Sequence, residues 1–174
     1  MFHHSIGWLF LFIGMKKTCG TIIIALLICG SVYPIALFPT QIFDSFGDIC
    51  CNDEKAHLDN FAVALQTQPN SQGYIIFYGG RRQSHPSCRS RQRLQRRGES
   101  QARAARLKPY LVNLRGIDPA QVIVIDGGYR ESWTAELWVV PKGATPPTAA
   151  PTVQRNDIRY RKGRINKHDY KCQV

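Results

Sequence analysis

An α+β domain is the fold class this chain predicts, and three observations predict it. Apolar residues recur at helical spacing in two separate stretches. Short apolar runs, one continuous and one alternating, lie between and after them. The order strand, helix, strand, helix, strand, strand packs two helices on one face of a small sheet.

Residues 41–49, Q-I-F-D-S-F-G-D-I, mix aromatic residues with short alternation and predict a first strand with an early turn. Asn52 offers an N-cap, and Asp53 and Glu54 suit the positive end of a helix dipole. Leu58, Phe61, Ala62 and Leu65 fall at i, i+3, i+4 and i+7 and form one apolar helix face, which Pro69-Asn70 ends. Residues 73–80, G-Y-I-I-F-Y-G-G, are nearly all apolar between glycines, as befits a strand in the middle of a sheet.

Residues 81–98 carry seven arginines and no acid, with no periodicity, and predict a polar loop. A second helix spans about 99–114, with Ala104, Leu107, Leu111 and Leu114 on one face. Pro109 removes a backbone hydrogen bond and kinks it near its middle. Gly116 suits the left-handed C-cap. Residues 121–125 form a third strand, Asp126-Gly127-Gly128 a turn, and residues 134–140 a fourth, alternating strand. The domain therefore covers 41–141. A Pro-, Thr- and Ala-rich linker follows at 142–153, then a basic tail at 154–174 that is expected to be disordered unless bound.

Across 174 residues, 23 Lys and Arg stand against 12 Asp and Glu, a formal charge of +11. Such an excess favours anionic partners: wall polymers, acidic lipid at a membrane surface, or nucleic acid. The amino end selects among them. Met15-Lys16-Lys17 precedes an apolar stretch over 18–38, so residues 1–38 are expected to be a signal peptide or an uncleaved membrane anchor, with a true start at Met1 or Met15. Ile28 before Cys29 is too bulky for a good lipidation signal. Of the six cysteines, Cys19 and Cys29 lie in this leader. Cys50, Cys51 and Cys88 lack the paired spacing of a zinc site, and in an exported protein one of the adjacent pair, with Cys51 the candidate, would join Cys88.

Residues 99–128 carry a resemblance. Ser100, Arg103 and Ala104 match a Ser-x-x-Arg-Ala helix head, Tyr110-Leu111 a later pair, Gly116-Ile117 a turn and Val122 to Ile125 the strand after it, while Tyr74 to Tyr78 stands at a central strand. In this course the chain resembles the OmpA-like domain family of bacterial envelopes. The resemblance implies a β-α-β-α-β(β) sandwich, two helices on one face of a small mixed sheet, and binding of peptidoglycan. The family holds diaminopimelate with an Asp after the central strand and the Arg of Arg-Ala. That Arg is Arg103 here, but Gly79-Gly80-Arg81-Arg82 contains no acid.

Three readings of Arg103 stand open: a carboxylate ligand balanced by another acid such as Asp126 or Glu131, one more anion contact beside the arginine-rich loop, or a salt bridge within the fold. The candidate ligand-binding residues are Arg103, Ser100, Arg81, Arg82 and Arg106. From 81 to 108 there are ten cations against the single Glu99, but few aromatics for base stacking, so nucleic acid is the lesser expectation. His57 falls on a helix and is expected to be a surface residue rather than a base, His85 and His168 have no carboxylate or Cys at a telling spacing, and Ser84, His85 and Cys88 lack an orienting third group. No enzyme, cofactor or metal site is expected. The function expected is non-catalytic attachment to peptidoglycan or another anionic envelope polymer, in the periplasm or at a membrane. The alternatives are nucleic-acid binding through the basic loop and a structural protein-interaction domain.

Overall fold

Four strands build one mixed sheet: β1 (Ile42–Phe46), β2 (Ser71–Arg81), β3 (Val122–Ser132) and β4 (Thr134–Pro141), in the order β1-β4-β2-β3. The computed structural model describes residues 40–82, 93–166 and Tyr170. All belong to one compact unit, Ala36–Val174. The leader, Cys88, His85 and His168 lie outside the described residues. Among the described residues no helix is long and apolar enough to cross a membrane.

β2 is central, as its continuous apolar run predicts. It pairs parallel with β3, Gly73 opposite Val122 through Phe77 opposite Asp126, and antiparallel with β4 from Ser71–Pro141 to Tyr78–Thr134. β1 is an edge strand, antiparallel to β4. The period of two splits β2 between two faces. Ile75 and Phe77 join one apolar core with Leu58, Phe61, Ala62 and Leu65 of the first helix and with Ala104, Leu107 and Leu111 of the second helical stretch. Both helices therefore pack on the same face.

Helix α1 runs Cys51–Thr67, with Cys50 rather than Asn52 at its N-cap and no side-chain cap. Asn52 lies within the first turn, because the helix starts one residue before it. The second helical stretch is broken more deeply than a kink. It comprises α2 (Glu99–Ala104), a turn, α3 (Leu107–Pro109) and a π-helical turn over Tyr110–Leu114. The break at Ala105-Arg106 sits where the ring of Pro109 meets the carbonyl four residues back. Gly116 adopts φ 68°, so the Ile117 N–H turns back to the Leu111 carbonyl at 3.1 Å.

Asp126-Gly127-Gly128 is not the turn between the last two strands. β3 continues through it to Ser132, and the pairing register with β2 slips there instead. A Cβ on Gly127 would lie 2.5 Å from the Tyr78 ring, so the strand passes under that ring only as glycine. The segment expected to be a linker and unordered tail returns to the sheet. Ala150 N–H donates to the Tyr78 hydroxyl at 3.1 Å, Thr152 and Val153 N–H donate to the Tyr129 carbonyl, and Arg161 N–H donates to the Gln95 carbonyl.

Candidate functional site

The head of α2, the C-terminal end of β2 and the start of α1 meet around Arg103. Its position on α2 follows from the helix period: Ala104 and Leu107 face the core, and Arg103 lies at the border of that face beside β1's exit loop. Arg103 is 4% exposed. One terminal nitrogen donates to Asp48 Oδ1, the other reaches the Ile49 carbonyl at 3.3 Å and Glu54 Oε2 at 3.5 Å, and the guanidinium lies 4.3 Å over the Trp133 ring. Its Nε is buried and has no hydrogen-bond partner among the described residues. Burial pushes the guanidinium below its ordinary pKa, opposed by Asp48 and Glu54.

Asp48 and Glu54 are shared. Asp48 also accepts from Arg82, Nε at 2.5 Å and Nη2 at 3.1 Å, and Glu54 accepts from Arg106, Nε at 2.8 Å. Glu99, buried at the first turn of α2, takes both terminal nitrogens of Arg93 and the Arg96 N–H. Burial raises the Asp48 carboxyl, but the hydrogen bonds and charges of Arg82 and Arg103 outweigh it and hold the group below the usual carboxylate range. Three buried acids thus bind four arginines into one network.

The structure brings four of the five sequence-predicted site residues into this corner, with their polar groups turned inward. Arg103, Arg82 and Arg106 are held by Asp48 and Glu54, and Ser100 donates to Gln95 Oε1. Arg81 is exposed at the end of β2. The hollow bounded by Gly80, Glu99, Ser100, Arg103 and Trp133 measures about 10 Å³, room for a water molecule at most. The arrangement anchors α2 to the loop after β1 and to α1, with both terminal nitrogens of Arg103 engaged. Asp126 and Glu131 do not balance it: Asp126 accepts from Gln101 and the Gly128 N–H, and Glu131 from Thr152.

A second feature adjoins the corner. A groove of about 870 Å³ separates the approach to α2 from the returning tail, with Arg97, Gln101, Asp126, Tyr129, Arg155 and Tyr160 on its walls. The Tyr129 and Tyr160 hydroxyls meet at 2.5 Å, and Arg97 lies 4.8 Å over the Tyr160 ring. A further groove of about 420 Å³ shares Tyr129 and carries Arg81, Arg130 and Arg159. Sequence reasoning missed Arg155 and Arg159 because the tail's composition resembles that of unfolded chain. Its signal was Ile158 and Tyr160 at spacing two, both now half-buried.

His57 lies on α1, its Nδ1 2.6 Å from Asp44 and its ring stacked on Phe46. Cys50 and Cys51 are both disulfide-bonded. Compared with protein-family models, curated proteins and solved structures, the chain matches none.

Proposed function

We propose that the protein is an exported, non-catalytic module of the cell envelope that attaches to peptidoglycan or an associated anionic polymer. The observation that carries this reading is the meeting of two basic stretches at one end of the domain. Arg81 and Arg97 come from the arginine-rich region, Arg155 and Arg159 from the tail, and all four are exposed around the paired grooves. Clustered cations on one rim bind a polyanion by displacing its counterions.

Two further observations support it. The strand–helix–strand–helix–strand–strand course, with β2 beside β3 and an arginine-headed helix packed on them, is in keeping with the OmpA-like resemblance. Disulfide-bonded Cys50 and Cys51 suit an oxidising compartment. Attachment in this reading uses the exposed rim and not Arg103, which is buried with both terminal nitrogens held by Asp48, the Ile49 carbonyl and Glu54.

Co-sedimentation of the full chain with purified peptidoglycan sacculi across a salt series tests the proposal. Pelleting at low salt that declines as salt rises is the expected result. No pelleting at any salt, with nucleic acid co-purifying and an export reporter inactive, would replace the envelope reading with the nucleic-acid one.

A further inference from the structure

The larger groove is lined by Arg97 and Arg155, whose guanidinium groups have no hydrogen-bond acceptor among the described residues, and by a pair of tyrosine hydroxyls. β3 slips in register between the residues opposite Phe77 and Gly79, and Gly128 takes φ 88° at that slip. The bulge directs Tyr129 toward the space beside Gly79 and Gln95, where a Cβ on Gly79 would strike its ring. The Tyr129 carbonyl then anchors the returning tail through the Thr152 and Val153 N–H groups, both at 3.0 Å. This delivers Tyr160 to the Tyr129 hydroxyl, ring edge to ring face, with centroids 6.2 Å apart.

Two phenols in contact use one proton between them. The second O–H has no acceptor among the described residues. Burial, then the bond to Tyr129, pushes the Tyr160 pKa up to about 12, so Tyr160 keeps its proton at neutral pH. Arg97 is held against the Tyr160 ring by its π face, a contact that leaves the guanidinium N–H groups unspent. Arg155 lines the same groove from the tail. Among the described residues neither arginine has an acidic partner. Asp126, on the same wall, is occupied: Oδ1 accepts the Gly128 N–H at 3.0 Å and Oδ2 the Gln101 amide at 3.2 Å.

We infer that this groove is a phosphate-binding site, with Arg97 and Arg155 holding the oxygens of a phosphate ester and the Tyr129–Tyr160 pair supplying a third donor. A planar carboxylate is satisfied by one forked guanidinium. Donors arriving from three chain segments suit a tetrahedral group, and arginine is the cation of choice for phosphate. The neighbouring groove shares Tyr129, Val153 and Ile158 and continues the row with Arg81 and Arg159. Successive cations fit a polymer with phosphate at intervals rather than a single small ester. The inference rests on the envelope reading for the source of the phosphate, not for the site.

The test uses the full chain, calorimetric titration with inorganic phosphate or acetate at matched ionic strength, and the variant R97Q/R155Q. Both positions are exposed, so the variant keeps the parent's melting temperature. Saturable phosphate binding that exceeds acetate binding, and that weakens about tenfold or more in the variant, is expected from the loss of two charge-assisted contacts. Equal binding of the two anions, or a variant that binds phosphate like its parent, overturns the inference. Tyr160→Phe is expected to weaken phosphate less than the double variant does.

Sacculi stripped of phosphopolymer by hydrofluoric acid, and vesicles of phosphatidylglycerol in phosphatidylcholine, identify the source. Pelleting lost on stripping assigns a wall polymer, and flotation with vesicles assigns a lipid headgroup. Both outcomes require the groove to bind phosphate. Phosphate binding without any sacculus pelleting keeps the site and removes the envelope reading. Pelleting that persists while phosphate fails to bind does the reverse.

Discussion

Replacing Arg103 separates a structural arginine from a ligand-binding one. In Arg103→Met the apolar stem is kept and the guanidinium is lost. Removing one partner of a buried ion pair costs roughly 3–5 kcal/mol when the other charge is left uncompensated. Here compensation remains. Asp48 keeps Arg82 at 2.5 Å and Glu54 keeps Arg106 at 2.8 Å, so three acids still face three arginines. The expected loss is therefore about 2–3 kcal/mol, a part of it the contact with Trp133. Asp48→Asn is the harsher change, about 3–5 kcal/mol, because Arg103 is left buried with Glu54 only at 3.5 Å.

Urea unfolding followed by tryptophan fluorescence measures both, with the melting temperature falling roughly 3–5 °C for each kcal/mol. The double variant should cost less than the sum of the singles by about 1–2 kcal/mol, since each single removes the same contact. Additive losses, or either single within about 0.5 kcal/mol of the parent, would show that the pair does not anchor α2. At temperatures where it is folded, Arg103→Met should still pelletise with sacculi. Loss of pelleting with unchanged stability would make Arg103 the ligand contact.

Three further outcomes follow from the same geometry. The Asp48 carboxyl is held below its ordinary value of 3.8, so its stabilising contribution is complete above that pH and is lost as pH falls through the lower folded value; acid titration of unfolding should show this slope in the parent and not in Asp48→Asn. Mass mapping without reductant should find no free thiol at Cys50 or Cys51, and reduction should lower stability by about 2–5 kcal/mol; a free thiol at either position would remove the tie at the head of α1. Tyr160→Phe breaks the 2.5 Å contact to Tyr129 and should cost about 0.5–1.5 kcal/mol, with faster proteolysis of the tail; an unchanged cleavage rate would mean the tail is held elsewhere.

The parts legible in the sequence are those written in short periods. Leu58, Phe61, Ala62 and Leu65 declare the buried face of α1, and the run at 73–80 declares the central strand, because local spacing decides both. The pairing of Asp48 with Arg103 spans 55 residues, and no local pattern encodes it. The second acid of the 41–49 stretch, Asp48, and a Glu in the first turn of α1 were its sole traces. Gly127-Gly128 was misleading for a physical reason. Two adjacent glycines favour a turn by backbone freedom, yet β2 is 11 residues long and β3 matches it at 11, so extended pairing and the overlying Tyr78 ring override the local preference. The tail's polarity hid two apolar contacts, too few to form a pattern and enough to dock a segment already tethered at Tyr129.

Composition counts every arginine alike, whereas the fold sets two groups of four apart. Arg82, Arg93, Arg103 and Arg106 spend their charge on Asp48, Glu54 and Glu99 inside the protein, where salt screens weakly. Arg81, Arg97, Arg155 and Arg159 face solvent around the grooves and are available to a polyanion. The salt dependence of binding reports only the second group, because only those cations exchange places with counterions. Its slope should fall in R97Q/R155Q by up to about two charges and stay unchanged in Arg103→Met. A slope that responds to Arg103 would place a buried, paired guanidinium at the binding surface, against its hydrogen bonds to Asp48 and the Ile49 carbonyl.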